Sequence, residues 1–240
     1  MKQFLYIVVF LTGSLLFAQE TFTANFDYEV SYEIPNGMKG KDTLTIAFDK
    51  TGRYVWTDFK KLFDRFSIML PQENNLMTKD MVLDVIYDSK TTKVYMNLNS
   101  DNFSFFIKMN LTAFLPGRVN PAPFKESFSL LSEKSEDKAT LLNKEYPVYK
   151  VYPDNLPEEK NKISLVFAEE YPIDNDELLR ALFDLMIDDE NDGKITTNFP
   201  KGVILQLSGS GPQNEVILKA ISIKKISRTI TINNTLEIKE

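Results

Sequence analysis

Histidine and cysteine are both absent from the 240 residues of this chain. Without them there is no imidazole base, no thiolate nucleophile and no disulfide. There is also no His or Cys ligand for zinc, copper, haem or an iron–sulfur cluster. No Gly-x-Ser-x-Gly or Ser-x-x-Lys element marks a serine nucleophile. Beyond the first residues no run is long and apolar enough to cross a bilayer. Positive charge is short too: the net charge is −6. An acidic chain repels phosphate backbones and anionic headgroups, so nucleic acid is not an expected partner. The local run Lys219, Lys224, Lys225 and Arg228 reads as the wet face of a strand pair.

What is present begins with an export signal. Lys2 supplies a basic start, Phe4–Leu11 an apolar core, and Ala18 a small residue before the polar Gln19-Glu20. This is the layout of a cleaved secretory signal over Met1–Ala18. No cysteine follows it, so the lipid anchor of a bacterial lipoprotein is excluded. The remainder, Gln19–Glu240, is long enough to bury one sizeable core as a single domain, soluble after cleavage, in the periplasm or outside the cell.

Period-2 alternation dominates that remainder, the mark of strands with one buried face. Phe26, Tyr28, Val30, Tyr32 and Ile34 alternate with polar residues. Leu44, Ile46 and Phe48 repeat the pattern, Asp49-Lys50-Thr51-Gly52 supplies a tight turn, and Tyr54-Val55-Trp56 resumes it, predicting an antiparallel hairpin. Further strands are expected at Leu83–Tyr87, Val94–Leu98, Phe103–Leu111, Phe128–Glu133, Tyr146–Tyr152, Ile163–Phe167, Val203–Leu207, Val216–Ile226 and Ile230–Ile232. Ser132–Lys138 reads as a solvated hairpin tip, and Pro116–Pro123 as a connection or a flap. The apolar phase slips between Ala220 and Ile221, which predicts a bulge.

Two segments carry helical spacing instead. Asp58–Leu70 is capped by Thr57 or Asp58 and ended by Pro71. Asn175–Ile187 has an apolar stripe through Leu178, Leu179, Leu182, Phe183 and Met186, with Asp174 as N-cap and Glu177 three residues on. The predicted fold is mainly β: a single curved antiparallel sheet, a half-barrel, with two short amphipathic helices on its concave face.

Chemistry is thinly marked. Asp188–Ile195 matches the start of an EF-hand loop, but the twelfth position is Phe199 rather than glutamate, and the stretch reads as an acidic turn out of a helix, with weak calcium binding as the alternative. Glu169, Glu170, Asp174 and Asp176 are the acids available to a paired-carboxylate hydrolase, without distinguishing context. Ser208-Gly209-Ser210-Gly211-Pro212 reads as a hairpin loop. No cofactor is expected. The stronger signal is aromatic content, 18 Phe, 10 Tyr and 1 Trp, which fills a β core or lines an apolar cavity. Tyr54, Trp56, Phe103 and Phe105 are the candidate ligand-binding residues.

Leu141-Leu142-Asn143-Lys144-Glu145-Tyr146-Pro147-Val148-Tyr149-Lys150-Val151-Tyr152 resembles a recurrent hairpin of exported proteins with the fold of the lipoprotein-carrier half-barrels (LolA-like) of Gram-negative envelopes. Lys201–Leu207 with Val216–Ile226 resembles their closing strands. The resemblance implies a non-catalytic envelope protein sheltering a lipid, an acyl chain or a lipidated protein. The alternative from another class is a structural or protein-interaction module with a filled core and no small-molecule ligand.

Overall fold

The computed structural model describes residues 21–35, 40–58, 82–99, 103–111, 127–184, 195–209, 215–233 and 237–238. Among these, thirteen strands form one sheet in the order β10-β7-β8-β9-β11-β12-β1-β2-β3-β4-β5-β6-β13, not closed into a barrel. The strands are β1 Thr21–Pro35, β2 Lys41–Phe48, β3 Tyr54–Thr57, β4 Val82–Asp88, β5 Lys93–Asn99, β6 Phe103–Asn110, β7 Phe128–Leu141, β8 Lys144–Pro153, β9 Ile163–Ala168, β10 Ile195–Thr197, β11 Val203–Ser208, β12 Val216–Asn233 and β13 Glu237–Ile238. Every pairing is antiparallel except that of β10 with β7.

The alternating apolar residues form these strands because each row has a partner row to bury against. Tyr28, Val30 and Tyr32 face Phe48, Ile46 and Leu44 across β1–β2. The Asp49–Gly52 turn forms as expected, its side-chain carboxylate accepting from the Tyr54 N–H at 2.8 Å. Strands β2 and β3 then pair directly. The bulge anticipated at Ile221 is present: Ser31 registers with Ser222 and Tyr32 with Ala220, so Ile221 is the extra residue on β12. A second shift, between Phe26 and Tyr28, also inserts its extra residue into β12.

These shifts let the long β1–β12 ribbon coil back over β3–β5. Flat packing would leave Phe22 on β1 about 19 Å from Tyr95 on β5, four strands away. Their rings instead stack at 3.9 Å. The even-numbered row of β1 accordingly serves two clusters: Ala24 and Phe26 join Ala47, Trp56, Ile86 and Tyr95, whereas Tyr28, Val30 and Tyr32 join Phe48, Val166, Leu205 and Leu178. Ala47 and Phe48 are neighbours on β2, so these clusters lie on opposite faces there, with Trp56 on the concave one.

One α-helix, α1 Asn175–Asp184, is described. Asp174 caps it, accepting the Glu177 N–H at 3.2 Å. Its Leu178 is buried in the cluster that holds Phe48 and Ile173, and the expected pair of amphipathic helices is not confirmed. The other expected helix, Asp58–Leu70, lies outside the described residues, as do Met1–Ala18, Pro116–Pro123 and Asp188–Lys194.

One correction concerns Ser132–Lys138. It belongs to β7, which pairs with β8 around a register shift between Lys134 and Lys138. The chain reverses at Leu142 and Asn143, both at positive φ (50° and 62°). Charge marks solvent exposure, not a turn, and the local turn signal was the asparagine.

Candidate functional site

The hollow of the coiled sheet holds the first two candidate residues. Tyr54 and Trp56 alternate along β3 and share its inner face. Trp56 is 4% exposed, and its ring N–H donates to Asp84 Oδ1 at 2.6 Å. The guanidinium of Arg228 covers the ring at 3.7 Å from its centroid and reaches Asp84 at 3.5 Å. Tyr54 receives Phe22 edge-on at 5.6 Å and Arg53 over its face at 4.6 Å. Burial first, and then the Asp88 charge, push the Tyr54 hydroxyl above its ordinary pKa. Tyr95 completes the group, stacked on Phe22 and close to Phe106.

The other two candidates, Phe103 and Phe105, lie on β6. Phe103 pairs with Ile238 and Phe105 with Leu98. Sequence reasoning missed Arg228, Asp84, Phe22 and Tyr95. Arg228 was assigned to a wet face; its closeness to Trp56 spans three strands of the sheet and has no local signal.

Beside the hollow, Asp88 is 1% exposed and takes two guanidinium bonds from Arg53, both 3.0 Å. Burial works against its ionisation, yet the Arg53 and backbone donors outweigh it and hold the carboxyl below its ordinary pKa. This is a structural ion pair fixing the β3–β4 junction.

The acids considered for hydrolysis each hold a structural partner. Tyr146 donates to Glu170 at 2.9 Å, as does Lys144 at 2.7 Å. Tyr149 donates to Glu169 at 3.2 Å. Tyr146 and Tyr149 belong to clusters on opposite sides of β8, so the two carboxylates are drawn apart. Burial and Glu170 push the Tyr146 hydroxyl up to about 12. Asp174 caps α1, and Asp176 accepts from Thr197 Oγ1 and from the Phe199 N–H. Gly209 sits in the β11–β12 connection, donating to the Glu215 carbonyl at 3.0 Å. Among the described residues no group of three or more acids gathers as a metal site, and no helix is long and apolar enough to cross a membrane.

No family model matches the chain, and no curated protein matches it. Among solved structures it is similar to PNGF-II, at a TM-score of 0.36 and 11% identity, over 84% of this chain and 28% of that one. The chain spans under a third of that structure's length, and a likeness of this size carries no argument about fold or function.

Proposed function

We propose that this chain is an exported, non-catalytic protein-interaction module of half-barrel form, its hollow filled by its own side chains. The supporting observation is the state of Trp56. Its ring face is covered by Arg228 at 3.7 Å and its N–H is taken by Asp84 at 2.6 Å. A side chain satisfied on both counts has little left to offer an acyl chain. The engagement of Glu169, Glu170, Asp174 and Asp176 in structural bonds supports the absence of catalysis. The competing role, shelter of a lipid by Tyr54, Trp56, Phe103 and Phe105, is measured by the same test.

Because the chain has 1 Trp, its fluorescence reports this site alone. Brominated fatty acids quench a tryptophan they touch. We expect Trp56 emission to stay unchanged on their addition, and the native mass of the purified protein to equal that of the polypeptide. Saturable quenching, or a co-purified lipid, overturns the module reading in favour of the carrier.

A further inference from the structure

We propose that the start of α1 binds one internal water molecule at the side-chain oxygen of Asn175, completing the joint between this helix and the entry to β11. The inference goes beyond the module reading and is independent of it. Asn175 is the first residue of α1 and is 1% exposed. Its amide nitrogen donates twice, to the Pro200 carbonyl at 2.6 Å and to the Gly202 carbonyl at 2.9 Å. Those bonds fix which way the amide lies, because turning it over would set an acceptor against two acceptors. The oxygen Oδ1 is thus turned from both carbonyls, and among the described residues no donor reaches it. A buried acceptor without a donor is costly, and native folds meet that cost with a protein group or an ordered water.

The walls around Asn175 are held in place. Gly202 N–H donates to the Ile173 carbonyl and Val203 N–H to that of Tyr171, both at 3.0 Å. The Gly52 turn sits so near that a Cβ built there would lie 2.3 Å from the Asp174 carbonyl oxygen. Three segments therefore converge here, and the asparagine has little freedom to swing toward another donor. Lys201, between its two acceptors in sequence, is no substitute: its side chain is 73% exposed and its ammonium lies 3.4 Å from Asp174 Oδ2.

Chemistry selects the ligand. The first turn of a helix carries partial positive charge, which opposes a cation placed beside it. A hard cation also asks for about six oxygens, and among the described residues no group of three or more acids gathers. An anion has no use for an acceptor. Water supplies two O–H donors and accepts in return. The first N–H groups of α1, those of Asn175 and Asp176, have no carbonyl within the helix to reach and suit the accepting side. Such a water leaves only when α1 lifts from the sheet, so its residence time reports local opening of this helix.

The test joins a high-resolution crystal structure of the full chain with oxygen-17 relaxation dispersion in solution. We expect an isolated oxygen peak about 2.7–3.2 Å from Asn175 Oδ1, hydrogen-bonded to a second protein group. Asn175→Leu should lose one long-lived water relative to the unaltered chain, whereas Asn155→Leu, at an exposed asparagine, should lose none. A protein donor at Oδ1, an empty space there, or a peak ringed by oxygens at metal distances of about 2.3–2.6 Å overturns the proposal. So does an unchanged water count in Asn175→Leu. Should that variant fail to fold, the density at Oδ1 in the unaltered chain decides alone. None of these outcomes touches the module reading, which lipid contact at Trp56 removes.

Discussion

Gly52→Ala tests how the sheet and α1 are joined. Gly52 has φ +77°, and a Cβ built there would lie 2.3 Å from the Asp174 carbonyl oxygen. That oxygen accepts the Leu178 N–H at 3.0 Å, the first backbone bond of α1. Alanine therefore meets two costs. Left-handed backbone costs an L-residue about 1–2 kcal/mol. Displacing the carbonyl weakens a bond worth about 1 kcal/mol and disturbs the packing of Ile173. The sum is about 3 kcal/mol, measured by urea unfolding followed through Trp56 fluorescence and circular dichroism. Gly40→Ala is the control, since Gly40 has φ +99° with nothing within 4 Å of its built Cβ, so it meets the backbone cost alone. Equal losses from the two variants would refute the steric coupling between the turn and the helix.

Two further outcomes follow from the buried polar groups. The Asp88 carboxyl is held below its ordinary value of 3.8, so its contribution is present above that pH and lost as pH falls through the lower folded value. Asp88→Asn should cost roughly 2–3 kcal/mol at neutral pH and shrink the loss of stability on acidification below about pH 4, as read from denaturant midpoints across a pH series; an unchanged acid profile would reject the assignment. Tyr32 is 1% exposed and donates to the Ile204 carbonyl at 2.7 Å. Tyr32→Phe strands that carbonyl and should lower stability by about 1–2 kcal/mol, with unaltered circular dichroism separating the loss from misfolding.

The strands were legible because period-2 burial is written residue by residue. Phe26–Ile34, Leu44–Phe48 and the slip at Ile221 could each be read locally, and so could the Asp174 cap. Pairing was not legible. Nothing local tells Thr21–Glu33 to lie beside Lys219–Asn233, or Glu237 beside Ser104. The same non-locality hid the site: Trp56 and Tyr54 stood out as aromatics, but Arg228 and Asp84, which decide what the tryptophan can do, come from β12 and β4. Alternation fixes two sides of a strand without saying which side of the sheet each becomes, so which aromatics gather around Trp56 could not be read from β3 alone.

The seating of β1 between β2 and β12 also governs when this protein can become itself. Thr23 meets Thr231 across 208 residues of chain, so β1 has its second flank satisfied only once β12 is in place. A fragment lacking β12 leaves one edge of β1 without its partner strand. Pairing over such separations is the kind that closes late in folding, and an apolar strand awaiting its partner is the kind of surface that aggregates.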